Sequence, residues 1–240
     1  MDFDCQKATC PSGKPPILFL HGWGGDKESF AFLKNWIVDR DLWSVSFAGH
    51  GKTGEPDRPM KVLDFAEEIE DFVCQHQLFG ADLVAHSFGG RVALIALSKW
   101  PQMFGRALLV GCAGLKPKRS AFLRLRIFVF KIKKWLVRMK ILSPRRLQNA
   151  GSEEYRVLSP VMRETFKLVV NQDLSAFARK IENEVLFVWG EKDTATPLWM
   201  AKKLNKLVEN SSIVVMKNKT HFCFYEEPAR FALILRCFFV

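Results

Sequence analysis

The chain has 240 residues, of which 48% are hydrophobic, and a formal net charge of +11. That length suits one large domain with a substantial core, and that hydrophobic content excludes intrinsic disorder. No apolar run reaches the roughly 18 uncharged residues of a membrane span, and Met1-Asp2-Phe3-Asp4 lacks the basic and apolar regions of a secretion signal, so a cytoplasmic protein is expected.

In chain order, the first β-rich apolar run is residues 17–20, followed directly by His21-Gly22-Trp23-Gly24-Gly25. Glycines there let the backbone approach a substrate closely. A helical pattern at 29–38 leads to a second strand at 43–47. The next turn, Ala48-Gly49-His50-Gly51-Lys52-Thr53, ends like a phosphate-binding P-loop, but that motif needs glycine where Ser46 stands, so nucleotide binding is rejected. A helix at 62–76 and a strand at 81–85 run into His86-Ser87-Phe88-Gly89-Gly90, and a helix follows at 91–100. A strand, a very tight turn and a helix with one serine at the apex would lift the Ser87 hydroxyl out of the sheet, at a helix N-terminus that favours negative charge. The plain alternative is a serine that caps the helix.

A strand at 107–111 comes next, and then the alternation breaks: residues 113–181 show helical patterns only. Strands resume at 185–189 and 213–216, with helices at 197–207 and 227–238. Continuous apolar strands separated by helices indicate an α/β fold, a mostly parallel central sheet flanked by helices. Residues 1–112 and 182–240 form its core, and 113–181 an inserted helical cap over the edge where such sheets bind ligands.

Nucleophilic hydrolysis needs a base for the serine proton and an acid to orient that base. Asp193 stands in the turn after 185–189, and His221 follows 213–216. Either alone could be a helix cap or an ordinary loop histidine; together, in the order Ser87, Asp193, His221 and each just past a strand, they read as a triad. The Trp23 and Phe88 backbone N–H groups are the candidate oxyanion donors. The five histidines show no pair at ligand spacing on one helix, so no metal is expected, and no cofactor. The six cysteines lack metal or disulfide spacing and read mostly as buried thiols.

These residues resemble the α/β-hydrolase superfamily. The likeness rests on the His21-Gly22-Trp23-Gly24-Gly25 loop, the Ala48-Gly49-His50-Gly51 turn, the Ser87 elbow, the Gly190-x-x-Asp193 turn and His221-Phe222. By this resemblance Ser87 attacks a carbonyl carbon, His221 shuttles the proton, Asp193 orients it, and water resolves an acyl-enzyme. The chain departs from the family at Ser46, where many members carry aspartate, at Ala48, where they carry proline, and at Thr220, where glycine is usual. The family's one or two opening antiparallel strands would have to fit within residues 4–10.

The charge is concentrated. Residues 116–146 hold twelve Lys or Arg and no Asp or Glu. Within them Leu125, Phe128, Val129, Ile132, Trp135, Leu136 and Met139 fall on one helical face between basic rows. Three readings stay open: a helix on an anionic membrane surface, a dock for an acidic partner such as an acyl carrier protein, or a cap helix with a solvated basic face. The aromatic spacing does not suit base stacking, so no nucleic acid is expected.

The expectation is therefore a carboxylesterase-like serine hydrolase of a small or medium ester, thioester or related acyl bond. The pocket would be shaped by His21, Gly22, His86, Arg91, Phe122, Phe128 and Phe222. Carbon–carbon bond hydrolysis or lyase chemistry on the same triad is one alternative. A ligand receptor or membrane-associated scaffold that keeps the pocket without turnover is another.

Overall fold

The structure is a computed structural model that describes residues 3–10, 13–116, 139, 155 and 157–240. Its strands are β1 (Cys5–Ala8), β2 (Ile17–Leu20), β3 (Leu42–Val45), β4 (Ala81–His86), β5 (Phe104–Val110), β6 (Val185–Gly190) and β7 (Ser211–Met216). They form one sheet in the order β1-β3-β2-β4-β5-β6-β7. All neighbours run parallel except β1, which pairs antiparallel with β3 from Cys5 opposite Val45 to Ala8 opposite Leu42.

The inner strands are apolar on both faces because both are covered. Leu18, Leu20, Leu83, Ala85, Leu109 and Phe187 pack into one layer. Ile17, Phe19, Val84, Leu108 and Val188 pack into the other. The first layer is completed by helices α1 (Val62–Gln75) and α2 (Phe88–Lys99), and the second by a 3-10 helix at Lys27–Asn35 near the start of the chain. Each fully buried aliphatic or aromatic side chain contributes about 1.5–3 kcal/mol, so these two layers carry most of the fold's stability.

Between β5 and β6 the described chain is helical, with α3 (Pro160–Asn171) and α4 (Ser175–Ala178). Helix α5 (Trp199–Leu207) joins the first layer, while α6 (Cys223–Glu226) and α7 (Pro228–Phe238) cover the second. Among the described residues no helix is long and apolar enough to cross a membrane. Of the expected apolar stripe in the basic segment, Met139 is described; it stands in a turn and is exposed. The other stripe residues, with Phe122, lie outside the described residues.

The structure differs from expectation at three points. The segment at 29–38 is a 3-10 helix at Lys27–Asn35, opened by an Asp26–Ser29 capping box. A short helix that was not expected, α6, precedes the last helix, which keeps its expected place as α7 because Pro228 starts it afresh. Only Cys112 and Cys223 are buried thiols; Cys74 and Cys237 are exposed, and Cys5 and Cys10 are half-buried.

The departure at Ser46 also has a physical account. Asp4, just before β1, accepts hydrogen bonds from Ser46 Oγ at 3.0 Å and Lys52 N at 3.0 Å, and pairs with Lys27. A carboxylate thus reaches this turn from the neighbouring strand.

Candidate active site

Strand β2 lies between β3 and β4, so the chain leaves it toward one side of the sheet and later returns on the other. The loops after β2 and β4 therefore diverge and open a crevice at the carboxyl edge of the strands, where open α/β sheets bind ligands. Ser87 stands there, between β4 and α2.

Its backbone is strained, with φ 50° and ψ −105°, a region that side-chain-bearing residues avoid. Such a conformation costs on the order of 1–3 kcal/mol and persists when the surroundings fix it. Here Ser87 N donates to Val110 O at 3.0 Å, and Ala113 N donates to Ser87 O at 3.1 Å. The small residue after the elbow is also required: a Cβ on Gly89 would stand 2.3 Å from Leu20 O and 2.7 Å from His21 O. Ser87 accepts no helix N–H through its side chain, so the capping alternative is not what the structure contains.

Asp193 and His221 arrive from β6 and β7. His221 Nδ1 donates to Asp193 Oδ2 at 2.7 Å. Thr196 completes the arrangement: its N–H donates to Asp193 Oδ1 at 2.8 Å, and its hydroxyl lies 2.7 Å from Asp193 Oδ2, 3.1 Å from Gly111 O and 3.3 Å from His221 Nδ1. Trp189 Nε1 donates to Thr196 O at 2.5 Å, tying that turn to the core. Burial by itself would raise the Asp193 pKa. The bonds from His221 and Thr196 outweigh it and hold the carboxyl below its ordinary value. Asp193 does not cap the helix that follows, whose N-cap is Leu198; its two oxygens receive a turn N–H and the imidazole instead.

The β7 loop reaches His221 because Gly190 admits it; a Cβ there would lie 2.0 Å from Thr220 O. His86 holds the same loop through Nε2, which lies 3.2 Å from His221 O. Burial, reinforced by the neighbouring His221, lowers its pKa to about 3, so His86 is a neutral donor.

Ser87 and His221 line one cavity of about 490 Å³, together with Gly22, Trp23, His86, Phe88, Arg91, Thr196 and Phe222. Neither the Trp23 nor the Phe88 N–H is taken by another described residue, and Phe88, as the first residue of α2, has no intrahelical acceptor. The Trp23 ring packs edge-on against Phe88 at 5.2 Å and His50 at 4.8 Å. Phe222, at the mouth, is 51% exposed.

One expected pocket residue lies elsewhere. His21 is buried beneath the loop; its Nδ1 donates to Gly22 O at 2.7 Å and its Nε2 accepts from Phe47 N at 3.0 Å. Burial lowers its pKa to about 3, and with both ring nitrogens used by the backbone it supports the loop rather than facing the cavity. Phe122 and Phe128 lie outside the described residues. Sequence reasoning missed Thr196, although Asp-x-x-Thr is a capping spacing, and the α3 residues Phe166, Val169 and Val170, which also line the cavity. Among the described residues no group of three or more His, Cys, Asp or Glu is placed to hold a metal ion.

The chain is similar to known proteins over most of its length. A pyrrolizixenacetamide deacetylase of Xenorhabdus hominickii is 25% identical over 258 aligned positions, covering 98% of this chain and 95% of the relative. A probable alcohol acetyltransferase of Cyberlindnera fabianii is 27% identical over 115 residues, which span 46% of this chain and only 31% of that relative. The solved esterase of Exiguobacterium antarcticum shares the fold with a TM-score of 0.78 at 19% identity, covering 99% of this chain and 95% of that one. A family model described as the alpha/beta hydrolase family matches residues 17–232. With its sheet order, its elbow and that match together, the chain belongs to the alpha/beta hydrolase family.

Proposed function

We propose that this protein is a serine hydrolase that cleaves a small or medium carboxylic ester, thioester or related acyl bond through an acyl-enzyme on Ser87. The observation that carries the reading is the 2.7 Å bond from His221 Nδ1 to Asp193, with His221 and Ser87 on the walls of one cavity. That bond fixes the tautomer: with Nδ1 protonated, Nε2 is the free base. His221 Nε2 takes the Ser87 proton as Oγ attacks the carbonyl carbon. The Trp23 and Phe88 N–H groups receive the oxyanion. The same imidazole then returns the proton to the leaving alcohol or thiol, and water, activated by His221, releases the acid and restores Ser87.

A cavity of about 490 Å³ supports a small or medium acyl group. The test is a fluorophosphonate probe on the folded chain. Ser87 labels, labelling is lost in Ser87→Ala and His221→Ala, and p-nitrophenyl acyl esters are turned over. A folded wild type that neither labels nor cleaves such esters sinks the proposal and favours a receptor. Turnover of a vinylogous diketone without turnover of esters favours carbon–carbon cleavage.

A further inference from the structure

Arg91 is a cavity residue for which ester cleavage provides no role. It is 5% exposed, yet it lines the cavity that holds Ser87. It lies one helical turn beyond Ser87, a spacing that places both positions on the same side of α2. Its Nη1 donates to Gln172 O at 2.8 Å and its Nη2 to Val170 O at 3.3 Å, both at the carboxyl end of α3. A guanidinium has five N–H groups, so donors remain.

No carboxylate among the described residues forms an ion pair with Arg91. The nearby Asp173 is engaged by Lys116 N at 3.2 Å and Ser175 N at 3.0 Å, and acts on Arg91 only through space. Burial lowers the Arg91 pKa to about 10, which still leaves it charged at neutral pH. A buried ion without a counter-ion is costly. The negative end of the α3 dipole offsets part of that cost, and an arriving anion would offset the rest. The surrounding wall is apolar, with Trp23, Phe88, Phe166, Val169 and Phe222, so a charge pair formed there is weakly screened. The flat fork of arginine also suits two carboxylate oxygens better than a lysine would.

We propose that Arg91 is an anion-binding subsite, and that the preferred substrate is an ester or thioester whose acyl chain carries a carboxylate a few bonds from the scissile carbonyl, as in a dicarboxylic half-ester. This deepens the serine-hydrolase reading and rests on it. The competing role is structural: Arg91 would only tether α3 to α2.

The experiment compares two activated esters of equal acyl length, p-nitrophenyl pentanoate and the mono-p-nitrophenyl ester of glutaric acid. Wild type should favour the charged ester in kcat/KM. Arg91→Gln should lower the charged-to-neutral ratio about tenfold or more, and Arg91→Lys should lower it less. A tether would slow both esters alike, so a ratio unchanged across the three proteins overturns the subsite. If Arg91→Gln does not fold, wild type alone decides. Glutarate should protect Ser87 from the fluorophosphonate better than pentanoate, and equal protection overturns the subsite. Absence of labelling in wild type strikes the hydrolase reading, whereas labelling without charge preference strikes the Arg91 subsite alone.

Discussion

The two arms of the cavity are built by different physics. The Ser87 arm is held by backbone: a left-handed residue pinned by Val110 O and Ala113 N, with Gly89 packed against the carbonyls that end β2. The His221 arm is held by side chains: imidazole on carboxylate, hydroxyl on the same carboxylate, and His86 on the loop backbone. Backbone sterics admit almost no substitution without moving the chain. A hydrogen-bond network admits near-isosteric changes that leave the fold alone and spoil the chemistry. Changes in the first arm should therefore register in stability, and changes in the second in turnover.

The largest separation should come from Asp193→Asn. The amide keeps the shape of the carboxyl but favours the wrong imidazole tautomer, so kcat/KM should fall by about 10⁴-fold while cooperative unfolding is retained. Loss of the fold, or a fall under tenfold, would remove the distinction between the arms. Gly89→Ala tests the other side. Its new Cβ would meet two carbonyl oxygens that cannot rotate away, and denaturant unfolding should show a loss of about 3 kcal/mol. A variant as stable as wild type would mean that the elbow tolerates the crowding.

The two arms were unequally legible in the sequence. The elbow could be read because sterics force small residues into adjacent positions, and Gly89-Gly90 beside Ser87 is a local pattern. The inner strands could be read for a related reason: residues buried on both faces, such as Ile17, Leu18, Phe19 and Leu20, must all be apolar. Strand β1, Cys-Gln-Lys-Ala, lies at the sheet edge and is half-solvated, so its pattern carries no such constraint, and only the family likeness allowed for it. Asp193 and His221 could be found by their place after strands. Thr196 carries only a capping spacing from Asp193; that its hydroxyl turns both to that carboxylate and to the carbonyl of Gly111, 85 positions away, has no sequence signal. The same limit hid Phe166, Val169 and Val170: their spacing shows a helical face, but not that the face overlooks Ser87.

Ser87→Gly sharpens the comparison at smaller scale by separating chemistry from strain. Glycine accepts a positive φ, so relief of about 1–3 kcal/mol is expected. Glycine's greater freedom in the unfolded chain takes back up to about 1 kcal/mol. The variant should be inert to the fluorophosphonate yet melt at a higher temperature than wild type. A lower melting temperature would show that the serine side chain contributes more to packing than its backbone costs.

The smallest effect should come from Thr196→Val, which keeps the N–H bond to Asp193 Oδ1 and removes the hydroxyl from Oδ2. One hydrogen bond to a charged group is worth about 1.5 kcal/mol, so kcat/KM should fall about tenfold, and Thr196→Ser should restore most of it. The pH dependence distinguishes lost positioning from lost packing. In wild type the Asp193 carboxyl sits below its ordinary value, held there against burial by His221 and Thr196. It therefore contributes stability above the unfolded pKa of about 3.9, and loses that contribution as pH falls through the lower folded value. Without the hydroxyl the folded value rises, so the contribution is smaller and disappears at a higher pH. Unfolding curves of wild type and Thr196→Val should lie furthest apart near neutral pH and draw together in acid, once the carboxyl is protonated in both. A gap of constant size across that range would assign Thr196 to packing and leave the imidazole–carboxylate bond to stand without it.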